Sequence, residues 1–117
     1  MPIQNVLASV AVKDVNSASR WYEKVIGMKP SRPMPELAEW SFDGGGGLQV
    51  YELKERAGSG SFTFVIRDFD DLVGRLQKLN IDVSQKTTNE RVKTVMITDP
   101  DGNHIAFAEA LDPALVR

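Results

Sequence analysis

The chain has 117 residues, of which 26% are charged and 42% hydrophobic, with a net charge of −2 and no cysteine. This size holds one domain, or two half-domains that cannot stand apart. The net charge argues against nucleic acid as a partner, since phosphate binding favours a basic face, and the lack of cysteine excludes disulfides, zinc-thiolate centres and cysteine nucleophiles, leaving the cytoplasm as the default compartment.

Met1-Pro2-Ile3-Gln4-Asn5 carries no basic segment followed by an apolar run, so no signal peptide is expected. No apolar run approaches the roughly 20 residues needed to span a bilayer, so no membrane role is expected. Asn5 to Val12 reads as a strand, with Val6, Ala8, Val10 and Val12 on one face and Leu7, Ser9 and Ala11 on the other. Asn16 or Ser17 is expected to cap the following helix, where Ala18, Trp21, Tyr22, Val25 and Ile26 recur at helical spacing and Gly27 supplies the stop. Pro30, Pro33 and Pro35 mark Met28 to Pro35 as an extended connection. Glu36 to Phe42 and Leu48 to Leu53 then form a hairpin around Asp43 and the glycines Gly44 to Gly47. Those glycines are not followed by Lys-Ser or Lys-Thr, so they are a hairpin tip and not a phosphate-binding loop.

Arg56 to Ser61 is a hinge, after which the order repeats. Ser61 to Ile66 alternates, with Phe62, Phe64 and Ile66 on one face. Asp70 or Asp71 is expected to cap a second helix with Leu72, Val73, Leu76 and Leu79 as its buried stripe. Arg91 to Thr98 and His104 to Glu109 form the last hairpin, joined by Asp99-Pro100-Asp101-Gly102-Asn103. Val12-Lys13-Asp14-Val15 and Ile66-Arg67-Asp68-Phe69 are matching strand-to-helix corners 54 positions apart, where a carboxylate suits a helix N-terminus. The repeat predicts an α+β fold of two similar modules, with the apolar strand faces (Val10, Val12, Phe62, Phe64) under helices on the outside of a single curved sheet, and the smaller, more polar faces lining a cavity.

The strand ending Val12-Lys13-Asp14, the helix with Ser17, Trp21-Tyr22-Glu23 and Val25-Ile26-Gly27, and the turn Asp99-Pro100-Asp101-Gly102-Asn103 together resemble the vicinal-oxygen-chelate superfamily. That superfamily includes glyoxalase I, bleomycin- and fosfomycin-resistance proteins and extradiol dioxygenases. The resemblance covers almost the whole chain and implies two tandem βαβββ modules, about residues 4–56 and 60–112 of one domain, forming an open curved-sheet barrel. It further implies a homodimer with a small-molecule ligand in the cavity. It is specific for the fold and not for one activity.

Metal-dependent relatives hold a divalent ion with side chains from the first and last strand of each module. The resemblance maps those positions onto Leu7, Gln49, Ser61 and Ala106, with Tyr51 or Glu52 available to a shifted register. Leucine and alanine have no donor atom, and a serine hydroxyl is a poor ligand for a transition metal. A second copy would supply the same residues. The expectation is therefore a protein without metal or other cofactor, of the bleomycin-resistance type, that sequesters a small organic ligand and has no catalytic residues.

The candidate ligand contacts are Trp40, Phe42 and Tyr51 as an aromatic wall, with Ser9, Gln49, Ser61, Thr63 and His104 as polar contacts. Each aromatic residue reads equally as core or dimer interface. His104, the single histidine, reads more simply as a partly exposed residue after a turn, and no Ser-His-Asp arrangement can be built around it. The rival expectation is a lyase, isomerase or dioxygenase with a displaced metal site using Glu52, His104 or Glu109. A third is an interaction module with a vestigial cavity.

Overall fold

The structure is a computed structural model describing residues 2–111; residue 112, the upper bound expected for the second module, lies outside the described residues. The chain divides into two compact units. The first comprises the residues up to Gly60 together with Pro100–Asn103, and the second comprises Ser61–Asp99 together with the residues from His104 onward. Among the described residues, no helix is long and apolar enough to cross a membrane.

The first unit runs β1 (Leu7–Val12), α1 (Val15–Ile26), β2 (Ser31–Met34), β3 (Leu37–Ser41) and β4 (Gly47–Glu52), ending in a 3-10 turn at Lys54–Arg56. Its sheet has the order β1-β4-β3-β2, with β1 parallel to β4 and the other pairs antiparallel. A parallel pair needs a long crossover, and α1 lies within it. The helix buries Val15, Ala18, Ser19, Tyr22 and Val25 against β3 and β4, whose inner face carries Ala38, Trp40, Leu48 and Val50, all nearly inaccessible.

The cap of α1 is Asp14, not Asn16 or Ser17. Its carboxylate accepts from the backbone N–H of Asn16 at 2.9 Å and of Ser17 at 3.4 Å. Both of those residues lie in the first turn, where their N–H groups need an acceptor from outside the helix. Gly27 ends the helix at φ 84°, a left-handed conformation that glycine adopts without steric penalty.

The turn at Pro100–Asn103 is tied to the rest of this unit by two side chains, Asn103 and Asp101. Asn103 is fully buried; its Oδ1 accepts from Gly60 N at 2.8 Å and its Nδ2 donates to Ala11 O at 2.9 Å. Asp101 Oδ2 accepts from Lys13 N at 3.0 Å. Gly102 takes φ 102°, the positive turn angle expected for it.

The second unit runs β5 (Ser61–Val65), α2 (Phe69–Lys78), β6 (Gln85–Thr88), β7 (Val92–Thr98) and β8 (His104–Ala110), with sheet order β5-β8-β7-β6. Phe69, Leu72, Val73 and Leu76 are the buried residues of α2. Leu79, expected in that stripe, is instead the C-cap and 36% exposed. Asp68 occupies the N-cap at φ 54° without a side-chain bond, while Asp70 and Asp71 sit in the first turn and do not cap.

Each unit is thus a βαβββ module, and the fold is α+β as expected. The single sheet of the repeat argument is replaced by two four-stranded sheets. The stretch read as a proline-rich connection contains β2, an edge strand, where Pro33 is tolerated because one side of the strand needs no ladder bond.

Candidate functional site

Strand alternation sends every second side chain to the sheet face away from the helix. In the first module, register aligns Ser9, Gln49, Glu39 and Ser31 across all four strands on that face. The side chains are linked. Ser9 Oγ donates to Gln49 Oε1 at 3.0 Å, and Gln49 Nε2 donates to Glu39 Oε1 at 2.9 Å. Ser31 Oγ donates to the backbone carbonyl of Glu39 at 3.3 Å. A carboxylate accepts and cannot donate, so Glu39 fixes the orientation of the Gln49 amide, and the Ser9 hydroxyl completes it.

One step along the strands, the same face carries Ala11, Tyr51, Leu37 and Met34 in register. Tyr51 is half-buried and Met34 exposed, with Leu37 buried between them. The face therefore presents one hydrogen-bonded polar row beside one apolar row.

Trp40 is not part of this face. It stands opposite Leu48 in the register, 1% exposed, with its ring against Tyr22 and its indole N–H donating to Met28 O at 2.8 Å. The pairing of Glu39 with Gln49 forces the next residue to the helix side, so the expected aromatic wall loses Trp40 to the core. Phe42 follows β3 in the hairpin turn, half-buried, with its carbonyl accepting from Gly45 N. Of the three expected wall residues, the register places Tyr51 on the helix-free face.

In the second module Ser61, Thr63 and His104 lie on the helix-free face of their own sheet, and all three are exposed. Ser61 is the register partner of His104, and Thr63 that of Ala106. His104 also faces Thr98 across β7.

The positions of a divalent-metal centre do not fit one in either module. The first offers Leu7, without a donor, and Gln49, whose amide is engaged by Ser9 and Glu39. The second offers Ser61 and the donorless Ala106. Among the described residues no three His, Asp or Glu side chains converge on a common point. Of the three residues of the rival displaced site, His104 lies on the helix-free face and the two glutamates do not. Both glutamates point to the helix side, where Glu52 Oε1 accepts from Val15 N and Glu109 Oε1 from Phe69 N, each at 3.0 Å. They serve as remote caps for the two helices, because the first N–H groups of a helix have no partner inside it. An open depression at the start of α1 is lined by Lys13, Asp14, Glu52 and Lys54, two of which already bond the helix N-terminus.

Glu39 is the residue that the sequence reading missed. Counted outward from a hairpin closed at Phe42 and Leu48 it falls opposite Tyr51; the observed register, with Ser41 opposite Gly47, brings it opposite Gln49 instead.

The profile of the Glyoxalase/Bleomycin resistance protein/Dioxygenase superfamily matches residues 4–107. No curated protein sequence matches the chain. Among solved structures, a glyoxalase/bleomycin resistance protein from Catenulispora acidiphila DSM 44928 is 31% identical, with a TM-score of 0.81, covering 92% of this chain and 98% of that one. TnmS3, an antibiotic binding protein from Streptomyces sp. CB03234, is 24% identical with a TM-score of 0.80, covering 94% of this chain and 98% of that one. A lactoylglutathione lyase from Agrobacterium tumefaciens is 22% identical with a TM-score of 0.76, covering 93% of this chain and 95% of that one. The last two are likenesses of fold.

Proposed function

The chain belongs to the glyoxalase/bleomycin resistance protein/dioxygenase superfamily, and we propose that within it this protein is a metal-free binder of a small organic molecule. The observation that carries this reading is the substitution of chemistry at the superfamily's metal positions. Leu7 and Ala106 have no lone pair to give, and Gln49 is committed to a hydrogen-bonded row with Ser9 and Glu39. A row of fixed donors and acceptors beside an apolar strip is what a small-molecule site requires: a few placed polar groups for orientation and apolar surface for affinity.

In this reading Ser9, Gln49 and Tyr51 contact the ligand on the first module. Ser61, Thr63 and His104 are proposed contacts on the helix-free face of the second. The protein acts as a homodimer, and sedimentation at micromolar concentration is expected to give twice the monomer mass. A lyase of the metal-dependent kind would need carboxylates that here cap the helices.

The test is elemental analysis of untagged protein purified without chelator. No transition metal at stoichiometric level is the expected result. Near-stoichiometric zinc, nickel, manganese or iron would overturn the metal-free reading and bring the enzyme to the front.

A further inference from the structure

We infer that Glu39 selects a ligand carrying a protonated nitrogen, held on the polar row of the first module with its apolar body on the strip beside it. This rests on the proposed reading of that face as a binding surface, and it adds the chemical class of the ligand. Glu39 spends one carboxylate oxygen, Oε1, on Gln49 Nε2. Among the described residues the other oxygen has no hydrogen-bond partner, and no lysine, arginine or histidine lies in ion-pair range of it. Among the described residues no fully buried side-chain polar atom is left unsatisfied, so this oxygen is open to whatever docks on the face. The site thus offers a half-buried anionic acceptor with no countercharge of its own.

The rest of the row narrows the class. Flipping the Gln49 amide would set its carbonyl against the Glu39 carboxylate, which cannot donate, so the amide stays oriented. The polar group that satisfies this end of the row must donate. A charged donor is favoured over a neutral one, because it adds the attraction between opposite charges to a hydrogen bond that the carboxylate already strengthens. The apolar row of Tyr51, Leu37 and Met34 is one pleat step away. Two residues along a strand span roughly 6.5–7 Å, so a ligand whose aromatic ring is carried on a short arm from its ammonium reaches from the polar row onto the apolar one. Tyr51 adds an aromatic side chain to the row that receives the ligand's apolar body. The same positions in the second module hold Ala106 and Met96 in place of Gln49 and Glu39, so a cation has no equivalent acceptor there.

The experiment is a titration of the full chain, labelled with nitrogen-15, with tryptamine and with tryptophol. These share the indole and the two-carbon arm and differ in ammonium against hydroxyl. Concentrations up to about 5 mM report a millimolar site. Tryptamine is expected to shift the amide signals of Ser9, Glu39, Gln49 and Tyr51 and to bind about tenfold more tightly than tryptophol. In Glu39→Gln, which keeps an acceptor for Gln49 and so the fold, that preference is expected to fall to within about twofold. Equal affinity of the two probes for wild type, or a preference that survives in Glu39→Gln, would overturn the cation inference while leaving a binding face. Absence of shifts on the row with either probe would overturn both the inference and the reading of this face as the site. Unchanged signals elsewhere in the Glu39→Gln spectrum separate a lost contact from a lost fold.

Discussion

Across the helix-free face of the first module the central row reads Ser9, Gln49, Glu39, Ser31. In the second module the same four places read Thr63, Ala106, Met96, Gln85. The row beside it changes too, with Tyr51 and Leu37 giving way to Ala108 and Thr94. The helix-side residues do the opposite and keep their character: Trp40, Leu48 and Val50 are matched by Ile97, Ile105 and Phe107, all buried. The architecture repeats because every module must bury one sheet face under one helix. The chemistry need not repeat, since the other face is free of that demand. Two copies of one scaffold can therefore carry different surfaces, and the first is the one with a charge.

The largest break in this symmetry lies on the buried side. Trp40 fills the space between sheet and helix in the first module and ties the end of α1 to the sheet through Met28 O. Its place in the second module is taken by the smaller Ile97. Trp40→Ala is expected to cost about 3–5 kcal/mol by urea denaturation, from a large cavity and a lost hydrogen bond. A cost below about 1 kcal/mol would return the indole to the open face, where the sequence alone also allowed it.

The two helix starts differ in a way their matching sequences conceal. α1 has two external acceptors, Asp14 and Glu52, whereas α2 has Glu109 and an Asp68 that makes no capping bond. Removing the remote glutamate should therefore hurt the second module more. Glu109→Ala is expected to cost about 1–2 kcal/mol and Glu52→Ala about half as much, both read from chemical denaturation. Equal costs would mean that the Asp14 cap does not compensate.

The corners were legible because Val-Lys-Asp and Ile-Arg-Asp are local signals in which a strand pattern meets a helix pattern. The inner strands were legible from their apolar alternation, within a residue or two at each end. β2 and β6 were not, because the Ser31–Met34 and Gln85–Thr88 side chains are all exposed and carry no buried face to read. Trp40 and Tyr51 were both assigned to the ligand because faces were assigned strand by strand. Only the pairing of Glu39 with Gln49 shows that the two rings point to opposite sides. The split role of Asp14 and Asp68 rests on a backbone angle, φ −141° against 54°, that no residue in either corner specifies.

A third variant asks whether the row alone makes the difference between the faces. Ala106→Gln with Met96→Glu would rebuild it in the second module, with Thr63 in the place of Ser9. Both positions are half-buried on the helix-free face, so the double variant is expected to change stability by no more than about 1 kcal/mol. Tryptamine is expected to shift the Thr63 amide signal in the variant and not in wild type. Failure to do so would show that the neighbouring apolar row, absent in the second module, is required as well.

The smallest expected effect concerns how each helix is joined to its outer strand. In the first module that connection is held by the buried indole of Trp40. In the second, Val83 is the buried residue of the connection, and beside it Asp82 Oδ1 accepts from Ser84 N at 2.9 Å on the surface. The side-chain and backbone hydrogen bonds from Ser84 hold the Asp82 carboxyl below its ordinary value. A group depressed in the folded state favours folding above its unfolded pKa, about 3.9 for aspartate, and loses that contribution as pH falls through the folded value. Asp82→Asn is therefore expected to remove a small acid-dependent part of the stability below about pH 4 and to leave the pH dependence between about 5 and 8 unchanged. Denaturation midpoints measured across that range check this. A change near neutrality would mean that the turn reaches the module's packing, as its counterpart at Met28 does through Trp40.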